Sequence, residues 1–304
     1  MEVILTGGTG FVGKNLEAYL NKNKIQVRLL SLRDTKWYEY YDSFDSDAII
    51  HLAGKAHDTS NSSNPEEYFI VNRDLTIKLF DVFLRSNVKD FFFFSSVKAV
   101  VDTIDGNLTE DFLSKPLTPY GKSKFEAERY LLSKNLPIGK RLFIIRPCMI
   151  HGPGNKGNLN LLYNIVRKNI PWPLGAFVNK RSFLSIDNLS FLIMEMLKKS
   201  DLKSGIYNFS DDFPLSTNEL VSLISKSLGK KRRIWKINKK IVEKFAQIGD
   251  FLSLPLNSER LKKLTESYVV SNQKIKSNLG IKELPLSVEE GLEITIKSFN
   301  NEEF

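Results

Sequence analysis

Through the first half of the chain, short apolar runs alternate with longer stretches in which apolar side chains recur about every three to four residues. The runs Glu2 to Leu5, Ile25 to Leu30, Ala48 to Leu52, Phe91 to Ser95 and Leu142 to Ile145 predict strands. Helices are predicted near Gly13 to Asn21, Pro65 to Ser86 and Pro119 to Lys134. Strands alternating with helices in this way predict a parallel sheet with crossover helices. The unbroken run Phe91-Phe92-Phe93-Phe94 suits a strand buried on both faces. Only Arg33 to Asp47 separates the second strand from Ala48, so that crossover is expected to be abbreviated or irregular.

After Pro153 the pattern changes. Leu159 to Lys168 predicts a helix, Trp172 to Lys180 a loop, and Phe183 to Ile186 and Ile206 to Phe209 two short strands. Helices follow near Thr217 to Leu228, Lys239 to Leu252, Asn272 to Leu279 and Ser287 to Phe299. No internal repeat or low-complexity linker separates the halves, which predicts a second lobe intertwined with the first. The expected fold is α/β, a doubly wound parallel sheet with a smaller C-terminal lobe.

Composition narrows the class. With 304 residues, 42% hydrophobic and 26% charged, the chain can bury a full core. No apolar run approaches the ~20 residues that cross a bilayer, and the opening residues enter a strand at once, leaving no room for a signal peptide. One cysteine, Cys148, fits a reducing compartment, so a cytoplasmic protein is expected. The net charge is +9, with its densest cluster at Lys230-Lys231-Arg232-Arg233, Lys236, Lys239 and Lys240 around Trp235. Nucleic acid and anionic lipid are possible partners for such a run, but it reads first as a solvated face whose potential attracts anionic substrates. Neither a nucleic-acid partner nor a metal is expected.

The candidate chemistry begins at Thr6-Gly7-Gly8-Thr9-Gly10-Phe11-Val12-Gly13, between the first strand and the first helix. In such a turn Gly7 permits the tight bend, Gly10 admits phosphates to the backbone, and Gly13 lets helix and strand pack. A second signal is Tyr120-Gly121-Lys122-Ser123-Lys124, which puts a tyrosine and a lysine one helical turn apart behind Pro119. A free tyrosine is too weak an acid for efficient proton transfer at neutral pH, and a neighbouring ammonium is expected to lower its pKa.

With these two motifs the chain resembles the extended short-chain dehydrogenase/reductase family, whose nucleotide-sugar members are epimerases, dehydratases and ketoreductases. The resemblance extends through His51-Leu52-Ala53-Gly54, Ser95-Ser96, Arg146-Pro147, His151-Gly152-Pro153-Gly154 and Arg181-Ser182-Phe183. The last stretches are most similar to bacterial enzymes that finish UDP-N-acetyl-6-deoxyhexosamines for surface polysaccharides. The family implies a Rossmann dinucleotide-binding domain, residues 1–155 and, by one return of the chain to the sheet that Phe183 to Phe209 suits, about 182–210, with an intertwined substrate lobe over about 156–181 and 211–304. It also implies a homodimer through paired helices, here those before Ser86 and after Pro119.

Further roles follow from the resemblance. Leu52, Ala53 and Gly54 would pass the adenosine, Asn72 would tie strands to the cofactor loop, and Pro147 would line the cofactor site. At the end of the second strand, where NAD-specific proteins carry an acid, stand Ser31 and, two positions on, Arg33. That favours NADP, with NAD as the alternative if Asp34 holds the ribose. His51 and His57 are expected to be packed and solvated rather than catalytic. The family's third catalytic hydroxyl falls on Ser96 in one register and is lost at Val97 in another; Ser96 is preferred. Lys98-Ala99 replace the Asp-Glu of sugar-nucleotide 4,6-dehydratases, which argues against that reaction. For the substrate, a UDP-sugar, the matched positions are Ser96, Asn158, Arg181 and Arg260, while Trp172 and Phe177 suit either uracil stacking or packing. The reaction implied is C4 reduction of a UDP-4-keto-6-deoxy-N-acetylhexosamine, with UDP-hexose 4-epimerisation as the nearest rival. A non-catalytic dinucleotide sensor is disfavoured by the retained Tyr/Lys pair.

Overall fold

A computed structural model describes residues 1–34, 36–38, 45–55, 64–155, 158–252 and 257–301. His57 and the Lys156-Gly157 pair lie outside them. The chain opens with strand β1 (Glu2–Thr6), helix α1 (Phe11–Lys22) and β2 (Gln26–Leu30), then β3 (Ala48–His51). Helices α2 (Pro65–Tyr68) and α3 (Leu75–Arg85) are joined by a π-helical segment, Phe69–Asp74. Then come β4 (Asp90–Phe94), the two-residue β5 (Asn107–Leu108), α4 (Pro119–Leu132) and β6 (Arg141–Pro147).

All strand pairs of the main sheet are parallel. Its order runs β2-β1-β3-β4-β6 and ends on a later strand, β9 (Gly205–Phe209). The order reverses between β1 and β3, and the carboxyl ends of these strands open on one crevice, where such sheets bind ligands. Among the described residues no strand lies outside β2. Trp37, between β2 and β3, is buried in one core with Ile4, Ile49 and Leu79.

The Phe91–Phe94 run shows how the sheet is covered. Phe91 and Phe93 enter the core beneath α3 and α4, while Phe92 and Phe94 enter the core shared with α1, as side chains alternating across a pleat must. The chain then adds β7 (Met149–His151), α5 (Asn158–Arg167) and β8 (Phe183–Ser185). β7 and β8 pair with each other in a separate two-stranded sheet, so Phe183 to Ile186 is not the element that returns to the main sheet. The return is made by α6 (Ile186–Lys198), a helix absent from the sequence reading, followed by β9.

The C-terminal region comprises α7 (Thr217–Ser227), α8 (Lys239–Leu252), α9 (Ser258–Thr265), β10 (Val269–Val270), α10 (Gln273–Leu279) and α11 (Val288–Asn301). These helices enclose a further core in which Leu162, Trp172, Phe183, Leu220, Leu292 and Phe299 meet. β10 pairs with β5, so the C-terminal part clasps the segment that follows β4. No helix of the described residues is long and apolar enough to cross a membrane.

Candidate active site

The glycine turn closes with Gly10 N donating to Gly7 O at 3.0 Å. Gly7 has φ +72°, and a Cβ there would stand 2.6 Å from Ala53 N; a Cβ on Gly13 would collide with Gly7 O. Both positions therefore demand glycine. Helix α1 starts at Phe11, Val12 and Gly13 with no side-chain cap and no acid in its first turn, whereas α4, α6 and α7 are capped by Thr118, Ser185 and Ser216. A compact backbone cradle at an uncapped helix start fits a dinucleotide pyrophosphate.

Beside the cradle, His51 is buried and fixed from both sides. Its Nδ1 lies 2.7 Å from Thr6 Oγ1 and its Nε2 2.9 Å from Thr76 Oγ1. Thr76 donates its own proton to Asn72 O, so Nε2 carries the imidazole hydrogen. Burial, reinforced by the Lys124 charge, pushes the His51 pKa down to about 3, and the ring stays neutral. Thr6 Oγ1 also accepts from Ala53 N, which holds the Leu52-Ala53-Gly54 turn against β1. Asn72, in the π-helical segment and fully buried, accepts from Lys55 N and donates to Lys55 O and Ser123 Oγ. It thus links the loop after β3 to α4.

Thr118 caps α4, and Tyr120 and Lys124 follow on one face. The Ser96 hydroxyl accepts from Lys98 N at 3.2 Å and hydrogen-bonds Tyr120, while its neighbour Ser95 donates to Glu128. A hydroxyl, that of Ser96, thus stands beside Tyr120. Lys124, 5% exposed, donates from Nζ to Phe94 O at 2.8 Å. Burial holds its pKa at about 8, against the opposing charge of Glu128.

The phenol departs from expectation. Burial raises the Tyr120 pKa, with the Ser96 hydrogen bond pulling the other way. Lys124 turns its ammonium to the β4 carbonyl, and desolvation of the ring dominates. Glu128, unnoticed in the sequence, continues the Tyr120-Lys124 spacing by another four residues and forms a buried ion pair with Arg146. The segment after Ser96 is locked by Tyr268, also unnoticed, whose hydroxyl donates toward Val101 O at 2.8 Å and Val97 O at 3.1 Å. Lys98 Nζ lies 4.3 Å from the Tyr268 ring and donates to Asp102 O.

The remaining predicted positions are dispersed. Ser31 and Arg33 are exposed just beyond β2, and the Asp34 carboxylate accepts from Lys36 N. Pro147 is buried at the end of β6. Asn158 begins α5, its side chain outside the described residues. Arg181 is drawn to the C-terminal end of α9, donating to Lys263 O, and burial lowers its pKa. Arg260 is exposed one turn earlier on α9. Trp172 is 3% exposed and donates to Asn218 Oδ1, so it packs and cannot present a stacking face; Phe177 is half-buried.

A glycine cradle at the switch point of a parallel sheet, with a serine, tyrosine and lysine gathered at the end of β4, defines a dinucleotide-dependent enzyme. The chain belongs to the NAD dependent epimerase/dehydratase family, whose model matches residues 3–209, as the extended short-chain dehydrogenase/reductase motifs implied. It is 31% identical to a UDP-glucose 4-epimerase from Vibrio cholerae over 98% of this chain and 95% of that protein. It is 28% identical to a UDP-2-acetamido-2,6-beta-L-arabino-hexul-4-ose reductase from Pseudomonas aeruginosa, over 72% of this chain and 56% of that one. The structure of RMD from Pseudomonas aeruginosa complexed with NADPH shares the fold, with a TM-score of 0.76 at 19% identity and 99% coverage of both chains. Other solved structures of this fold carry NAD.

Proposed function

We propose that this enzyme reduces the C4 carbonyl of a UDP-4-keto-6-deoxy-N-acetylhexosamine, using NADPH. The observation that carries the reading is the Ser96–Tyr120–Lys124 group, with a protonated phenol and with Lys98-Ala99 where an eliminating enzyme would need carboxylates. When bound, the dinucleotide supplies the hydride. Ser96 donates to the substrate carbonyl and orients it, and Tyr120 delivers its proton to the oxygen as the alcohol forms. The raised phenol pKa keeps that proton in place at neutral pH until it is needed. Lys124 compensates the phenolate left behind. Gly7, Gly10 and the first turn of α1 hold the pyrophosphate, Arg33 pairs with a 2′-phosphate, and Asn158, Arg181 and Arg260 take the substrate diphosphate. For Arg181 this requires sharing its guanidinium with Lys263 O.

Measuring NADPH oxidation with a panel of UDP-4-keto sugars tests the reading. Tyr120→Phe should lose ~10²–10⁴-fold in turnover while binding the dinucleotide as the parent does; undiminished turnover would remove the mechanism. A 4-epimerase is the second reading, favoured by the near-complete coverage of the Vibrio cholerae relative. Cofactor choice separates the two. NADPH is expected to bind at least as tightly as NADH, and Ser31→Asp to reverse that order by setting a carboxylate against the phosphate. Wild-type protein that retains NAD through dialysis would move the epimerase ahead.

A further inference from the structure

Helix α8 has two apolar faces where a surface helix ordinarily has one. Val242, Ala246 and Gly249 are buried, the first two in the C-terminal core. Ile241, Phe245 and Ile248, spaced four and then three residues apart, form a second stripe that is 49, 63 and 48% exposed, and Phe251 beside it is 90% exposed. Four large side chains along one helix are a contiguous patch rather than the scattered apolar residues any surface carries.

The surroundings of this stripe are cationic. Lys240 and Lys244 stand at its edge on the helix itself. The segment leading into α8 is held against the loop after α5, with Trp172 N donating to Arg233 O at 2.8 Å and Gly175 N to Trp235 O at 3.0 Å. That pinned segment exposes Lys231, Arg232, Lys236 and Lys239, together with Trp235, 58% open to solvent. A basic run alone is a solvated face, and an apolar stripe alone could meet many partners. An apolar helical stripe bordered by lysines, with an exposed indole at its entrance, is the pattern of a helix lying in a membrane interface.

We propose that α8 and the segment from Lys231 to Lys240 dock this protein on an anionic phospholipid surface, the rings and isoleucines entering the acyl boundary and the cations meeting headgroup phosphates. A second copy is the poorer occupant, because a two-fold contact would press the same cations against one another. Nucleic acid would engage the cations and leave the aliphatic side chains uncovered. The contact is interfacial, since no helix of the described residues can span a bilayer. The inference does not rest on the sugar reading.

Flotation of the full chain with vesicles tests it, comparing phosphatidylcholine alone with an equal mixture of phosphatidylcholine and phosphatidylglycerol. The protein should float with the mixed vesicles and release at high salt. Phe245→Ser/Phe251→Ser should weaken that binding roughly tenfold, with an unchanged thermal melt because both rings are exposed. Lys240→Gln/Lys244→Gln should weaken it at low salt as well. Failure of the wild type to float with the mixed vesicles, or equal flotation by the serine variant, would overturn the proposal. So would self-association in sedimentation velocity that the serine variant abolishes, or oligonucleotide binding that it retains.

Discussion

Lys124 sits where its own charge is costly: nearly sealed from water, with one backbone carbonyl as hydrogen-bond acceptor and a pKa brought down to about 8. In the unfolded chain a lysine titrates near ~10.4. Between these values the unfolded state holds more protons, so this residue's contribution to stability grows as pH rises through that window; below it the whole burial cost is borne. Lys124→Met should therefore gain on the order of 1–2 kcal/mol at pH 7, the charge penalty removed less the hydrogen bond lost. Its advantage over wild type should shrink by pH 10. Urea titrations at the two pH values decide this, and a methionine variant less stable at pH 7 would show that the hydrogen bond outweighs burial. At this scale the glycine turn and the Tyr/Lys spacing were legible in the sequence because both are local constraints. The register of Ser95-Ser96 was not. Adjacent serines at a strand end are sorted by tertiary neighbours, Glu128 for one and Tyr120 for the other.

Among the elements, β4, α4 and β6 are coupled by one buried carboxylate. Glu128 on α4 accepts from Ser95 and pairs with Arg146 on β6, whose buried Nη1 has no partner among the described residues. Removing one member of such a pair strands the other charge. Glu128→Ala should cost about 3–5 kcal/mol in equilibrium unfolding, whereas Glu128→Ala/Arg146→Met should recover much of it. Equal losses in the two variants would mean that packing, not the stranded guanidinium, sets the cost. The strands of the main sheet were legible because parallel strands buried on both faces are continuous apolar runs. Helix α6 was not: Ile186, Leu189, Leu192, Ile193, Met196 and Leu197 recur at helical spacing and are all buried, but Ile186 continues the apolar run Phe183-Leu184, which reads as a strand. The two-residue strands β5 and β10 leave no pattern at all; each exists only through the other.

For the whole molecule, the junction of β6 and β7 is the point where the main sheet, the small β7–β8 sheet and the loop bearing Arg181 converge. The chain's one cysteine lies there. Cys148 is 9% exposed, its amide donates to Phe209 O at 3.0 Å, and burial pushes its thiol well above the ordinary range. At neutral pH the closed molecule thus offers an alkylating reagent neither access nor thiolate. Its labelling becomes a clock for how often the two sheets part. Intact-mass spectrometry should find at most one adduct, slow to appear on the native protein and rapid in denaturant. Saturating dinucleotide should slow it further, so that the mass of a single maleimide reports the opening of the crevice, molecule by molecule.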